Sequence, residues 1–167
     1  MKKMIFLADH INKLNFAKLT SLYDEDIERN RKLNYGRLYA HEGRLLAEQD
    51  YYQYLRDVFF RSYGGKMFLL EEGDRYLSAV CFEPFKDGLL LNSLITAKDV
   101  RRNGYARNIL SYAFDQIEGF TIYSHIHCRN RASILLHEQL GFVKLYDYAH
   151  MLDGSVCSDH ITYIKMH

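Results

Sequence analysis

Six consecutive residues, Arg101-Arg102-Asn103-Gly104-Tyr105-Ala106, have the types and order needed to hold a phosphate. They follow an apolar run, Leu89 to Ile95, that reads as a buried strand, and they open a segment whose apolar residues recur at helical spacing. The first-turn N–H groups of such a helix have no intrahelical partners, and the helix dipole puts partial positive charge there. Gly104 lets the backbone approach a ligand without a Cβ in the way. Arg101, Arg102 and Arg107 can add charge and forked donors. Many surface turns also carry a glycine among arginines, so this turn needs support from the rest of the chain.

A second constellation follows. In the segment from Asn130 to Phe142, helical geometry projects Asn130, Ser133 and His137 (i, i+3, i+7) within one narrow arc, a polar stripe on an otherwise apolar helix. Taken singly, each has a plainer reading: Asn130 as an N-cap, Ser133 as a small packing residue, His137 as an exposed helix position. Other chemistry finds less support. On a strand His125 and His127 point to one face and Cys128 to the other, so no metal site is expected. The G-x-x-x-x-G-K-[ST] loop and the G-x-S-x-G elbow are absent.

At 167 residues, 48% of them hydrophobic, the chain suits one domain, residues 1–167, able to bury its own core. A formal charge of +1 argues against a nucleic-acid partner. Three scattered cysteines, Cys81, Cys128 and Cys157, read as free thiols in a reducing compartment. Met1 to Ala8 starts like a signal peptide but meets Asp9 and His10 too soon, and no apolar run reaches the roughly 18 residues of a membrane span. The expectation is a soluble, cytoplasmic protein with no membrane partner.

The elements that must position the two constellations are legible as changes of period. Residues 12–30 read as an amphipathic helix with Leu19, Leu22, Tyr23 and Ile27 on one side, 33–43 as an aromatic loop, and 42–62 as a second helix. Strands at 66–71, 76–82 and 89–96 have short links, which suggests an antiparallel meander. Ala106, Ile109, Leu110, Ala113, Phe114 and Ile117 make the clearest helical stripe. The strand at 120–126 then joins its predecessor through that helix, which makes the two parallel. A helix at 130–140 closed by Gly141, strands at 142–148 and 161–166, and a polar loop from 150 to 160 complete an α/β domain with a mixed sheet.

With both motifs in order, the chain resembles the Gcn5-related N-acetyltransferases. Arg101-x-x-Gly104-x-Ala106 is similar to that family's acyl-CoA signature, and Asn130, Ser133, His137, Gly141 and Phe142 fall at the positions of its second motif. The resemblance is firm over residues 66–148. It implies a sheet whose parallel strands splay apart, with helices on both faces, and transfer of acetyl or another acyl group from acyl-CoA to the amine of a small molecule or peptide. Backbone amides of Arg102, Asn103, Gly104, Tyr105 and Ala106 would hold the CoA pyrophosphate. Leu94, Ile95 and Thr96 would pair with the pantetheine arm, and an N–H there could stabilise the oxyanion. Asn130 and Ser133 would face the cofactor, while Arg129 or Arg131 could reach the outer phosphate. No metal is implied.

The departure is His137, which stands where the family usually has the tyrosine that protonates the departing thiolate. Imidazolium could serve as that acid; Tyr105, Tyr146 or water are the alternatives. A base is also wanted for the amine, and Glu71, Glu72 and Glu83 lie on or beside the meander without any one being marked out. By analogy with the family, the loop with Tyr35 and Tyr39 and the late loop with Asp153, Asp159 and His160 would build the acceptor pocket. A non-catalytic acyl-CoA sensor on the same fold is the competing reading. A homodimer through a late strand or the tyrosine-rich surface stays open.

Overall fold

The computed structural model describes residues 2–151 and 153–166. Strand β1 (Lys3–Ala8) leads into three helices, α1 (Phe16–Leu22), α2 (Asp24–Tyr35) and α3 (Ala40–Gln53), the last running on as a π-helical segment, Tyr54–Phe60. The meander follows as β2 (Lys66–Glu72), β3 (Arg75–Phe85) and β4 (Gly88–Thr96). Then come α4 (Tyr105–Gln116), β5 (Ile122–His127), α5 (Arg131–Gln139), β6 (Val143–Tyr146), a small hairpin of β7 (Ala149–His150) and β8 (Val156–Cys157), and β9 (His160–Lys165).

Seven strands form one mixed sheet in the order β1-β2-β3-β4-β5-β9-β6. Among the described residues only β4 and β5 are parallel neighbours, joined through α4. One face of the sheet packs on α4 through Ile109, Leu110, Ala113, Phe114 and Ile117, the stripe read from sequence. The other face packs on the early helices through Leu19, Leu22, Tyr23, Ile27, Leu55 and Phe59. Each fully buried Leu or Phe contributes about 2 kcal/mol, so both layers hold the sheet. Among the described residues, no helix is long and apolar enough to cross a membrane.

The early chain differs from the sequence reading. Met1 to Ala8 was expected only as an abortive signal-like start, yet Lys3–Ala8 is an edge strand paired antiparallel with β2. The helix expected over 12–30 is broken at Tyr23, where the backbone leaves helical geometry (φ −92, ψ 20). Asp24, Glu25 and Asp26 then fill the first turn of α2, where the new N-terminus favours negative charge. Much of the expected loop at 33–43 is helical, since α2 continues to Tyr35 and α3 starts at Ala40.

The feature that matters for function is how β4 and β5 part. They pair only over Leu89↔Ile122, Leu90↔Tyr123 and Leu91↔Ser124. Beyond that point Ser93 to Thr96 stay with Ser78 to Cys81 of β3, while His125 to His127 stay with β9. The two half-sheets therefore diverge from a vertex at Leu91 and Ser124. A bulge sits at the same place: Cys81 pairs with Ser93 but Phe82 with Leu91, which leaves Asn92 unmatched and bends the strand away. At the closed end Gly88 permits close approach, because a Cβ there would lie 2.0 Å from the Thr121 carbonyl oxygen.

Candidate functional site

The turn at residues 101–106 leads directly into α4, as its sequence suggested. Arg102 has φ +69 and Gly104, the residue before α4, has φ +79. Left-handed residues alternating with ordinary ones turn successive N–H groups into one concavity. No side chain caps the start of α4, and nothing lies within 4 Å of where a Gly104 Cβ would project. The N-terminal amides are thus open to an anion. Their partial positive charge comes from a twelve-residue helix whose other end is anchored in the core.

The arginines divide their duties. Arg101 donates to Glu25 of α2 at 2.8 Å and through Nε to the Thr96 carbonyl at 3.1 Å, so its side chain braces the turn against the helical layer. Arg107 donates to Gln139 of α5. Asn103 donates to the Val100 carbonyl at 3.2 Å. Arg102 is exposed and makes no ion pair among the described residues, which leaves it as the free cation of the turn. Tyr105 lies under the Lys3 ammonium, 4.7 Å from the ring centroid, and Ala106 is half-buried.

Leu94, Ile95 and Thr96 run from the turn to the vertex. Ala97 donates to Leu77 of β3, so strand alternation turns the N–H and C=O groups of Leu94 and Thr96 into the gap opposite β5. The Ile95 carbonyl instead accepts from Ser78 Oγ at 2.6 Å. From Thr96 back to Leu91 the strand covers roughly 17 Å, a ladder edge for an extended chain laid between the half-sheets.

The stripe on α5 runs from an exposed Asn130 through a half-buried Ser133 to a buried His137. Asn130 is the N-cap, its side-chain oxygen accepting from Ser133 N at 3.2 Å. His137 is 1% exposed and stacks edge-on against Phe142. Its Nδ1 lies 2.8 Å from the Ser133 carbonyl oxygen, which can only accept, so Nδ1 carries the proton. Nε2 then accepts from Ser124 Oγ at 3.1 Å. Burial, only partly opposed by the bond to Ser133, holds the ring pKa below the usual histidine range. The acid role expected for His137 needs a proton at Nε2, and this arrangement spends the only N–H on Ser133. What the ring does instead is hold the Ser124 hydroxyl at the vertex.

On the opposite face of the vertex a cleft of about 430 Å3 is lined by Tyr63, Leu90, Asn92, His125, Asp153 and His160, among others. Asp153 and His160 belong to the late loop expected to shape an acceptor pocket. Tyr54, the first residue of the π-helical segment, reaches the same region: burial first and then the Glu83 charge push its hydroxyl up to about 12, with a hydrogen bond from Asn92 opposing. The π geometry shifts the register of α3 just where this tyrosine must meet β4. Asn92 and Tyr54 carry no sequence signal for this place, and His125 stood out in the sequence only as a rejected metal ligand. The bulge has no residue signature, and a π segment looks like ordinary helix.

His125 is pushed down to about 4 by burial first, then by His160, Lys86 and His150. His125 and His137 are thus neutral when folded yet protonate near pH 6.5 when unfolded. Stability from a depressed histidine is present above the unfolded pKa and lost as pH falls toward the folded one. Melting temperature should therefore fall between about pH 6.5 and 4, and His125→Gln should shallow that fall. Identical slopes in thermal melts of the two proteins would contradict the assignment for His125.

Comparison with known proteins agrees with this geometry. The sequence profile of the Acetyltransferase (GNAT) family matches residues 21–142, and the chain belongs to that family. Among solved structures it resembles the ribosomal-protein-S18-alanine N-acetyltransferase of Escherichia coli (TM-score 0.59, 20% identity, covering 98% of this chain and 94% of that one). It also resembles the PaiA N-acetyltransferase of Thermoplasma acidophilum in complex with coenzyme A (0.62, 12%, 100% of both chains) and a GNAT acetyltransferase of Bacillus cereus (0.64, 17%, 99% and 98%). No curated protein matches in sequence. At these identities the structures speak for the fold.

Proposed function

We propose that the protein transfers an acetyl group from acetyl-CoA to a primary amine by direct attack at the vertex between β4 and β5. The observation that carries this is the opening of the two strands beyond Leu91 and Ser124, in line with the uncapped turn at 102–106. The pyrophosphate would lie on the turn amides, with Arg102 beside it. The pantetheine arm would follow the free edge of Leu94 to Thr96, and the thioester would arrive at the bulge. Ser133 and Asn130 flank this path on the α5 side, and the amine enters from the cleft of Asn92 and His125.

In the transition state charge develops on the thioester oxygen, and backbone N–H groups fixed on the splayed edge of β4 would stabilise it without reorganising. Ser124 Oγ gives its one proton to His137 Nε2, so no side-chain acid is needed from this pair. A thiol of reference pKa about 8.5 is a leaving group that solvent or the amine's second proton can neutralise.

Release of free CoA from acetyl-CoA, followed with and without a panel of primary amines, tests this reading. Amine-dependent release is the expected result. Tight acetyl-CoA binding with no turnover on any amine would favour a sensor instead.

A further inference from the structure

Among the described residues, every buried polar side chain has a partner except one. Thr20, Ser78, Ser124, His137 and Thr162 all hydrogen-bond. Glu83 is 1% exposed, yet neither carboxyl oxygen has a hydrogen-bond partner among the described residues. A carboxylate buried without hydrogen bonds or a counter-charge is costly, and a leucine or methionine here would be better for folding alone. Such a group calls for an explanation beyond stability.

Its place supplies one. Glu83 on β3 lies directly opposite Leu90 on β4, and cross-strand partners project to the same face. Leu90 lines the vertex cleft, as does Asn92 two residues further along. The titratable groups that sense Glu83 are Tyr54 of the π-helical segment and Cys81 of its own strand. Both are neutral at pH 7, being pushed up to about 12. A cation is the missing component, and the rings of Tyr54 and Tyr63 beside it are surfaces that cations favour.

We propose that Glu83 is the proton acceptor for the incoming amine, and that the acceptor is an alkyl primary amine which arrives as its ammonium ion. This rests on the acetyl-transfer reading above. The ammonium provides the charge that Glu83 lacks; an N–H bond then breaks as an O–H bond forms on the carboxylate. The freed lone pair makes the C–N bond to the thioester carbonyl, and collapse of the tetrahedral adduct breaks the C–S bond. The amine's second proton leaves with the thiolate as CoA thiol, and Glu83 releases its proton to solvent with the product. Burial raises the Glu83 pKa, moving it toward that of the amine it must deprotonate. His125, which lines the cleft from β5, is driven the other way, to about 4, and is a poor match for an alkylammonium.

The test is Glu83→Gln, measured two ways. With acetyl-CoA and a panel of n-butylamine, a linear diamine and a peptide carrying lysine, kcat at pH 7 should fall roughly 100-fold. The loss should shrink as pH rises toward the amine's own pKa near 10.4, where neutral amine no longer needs a base. Independently of turnover, a raised carboxyl contributes stability below its unfolded pKa of about 4.3 that is lost as pH rises through the folded value. Glutamine cannot ionise, so the variant should melt roughly 3 °C above the parent at pH 8 and level with it at pH 4. A parent that turns over while the variant stays within threefold of it at pH 7 overturns the proton role and leaves acetyl transfer standing. A variant no more stable at pH 8 overturns it too. A parent inactive on every amine removes the acetyl-transfer reading itself.

Discussion

Replacing Gly104 by aspartate should weaken acetyl-CoA binding about 100-fold or more while leaving the melting temperature within a few degrees of the parent. A like charge set against a desolvated anion costs several kcal/mol, and every 1.4 kcal/mol or so is tenfold in affinity. The fold should tolerate the change better than most. Aspartate is among the few residues that accept a left-handed backbone, and it is a favoured residue at the start of a helix. A Cβ there meets no heavy atom within 4 Å, so the cost to the fold is the backbone strain at φ +79 alone. Stability and affinity thus move apart, which a merely structural turn would not allow. Calorimetric titration of both proteins with acetyl-CoA, beside a thermal melt, reads both quantities, and an unchanged dissociation constant would remove the pyrophosphate from this turn.

His137→Ala should be costly in the opposite currency, lowering stability by about 3 kcal/mol and the melting temperature by roughly 10 °C. The substitution empties a ring-sized space against Phe142 and strips partners from Ser124 Oγ and the Ser133 carbonyl at once. His137→Tyr should also lose stability, by about 2 kcal/mol, because the larger ring must enter a site with 1% exposure. Turnover per folded molecule should fall less than tenfold in the alanine variant, and any limb of the parent's kcat near pH 6.5 should survive the substitution. A collapse of kcat with an unchanged melting temperature, or such a limb lost on substitution, would restore the imidazolium as the acid.

The legible parts of this protein were those whose signal is local and repeated. The α4 stripe from Ala106 to Ile117 announced its helix because the core it meets is one continuous sheet face. The turn at 101–106 and the Asn130 segment were readable because a glycine turn into a helix and a helix cap each need particular residues at fixed steps. What escaped depends on neighbours far along the chain. Lys3–Ala8 becomes a strand because β2 offers an edge, although the Asp24-Glu25-Asp26 run could have marked the start of α2. Nothing in Leu91, Asn92 or Ser124 says that β4 will stay with β3 while β5 follows β9. His137 was placed correctly on its stripe, but periodicity cannot tell a stripe that lines a cleft from one sunk against Ser124. Glu83 looked like any carboxylate of a meander until its lack of partners was visible.

The most direct measurement is the structure of the protein crystallised with CoA. The pyrophosphate should lie on the amides of residues 102–106, the pantetheine arm along Leu94 to Thr96, and the thiol between Asn92 and His125 at the vertex. CoA bound elsewhere, or β4 and β5 paired through residues 92–96 with the sulfur outside the gap, would contradict it.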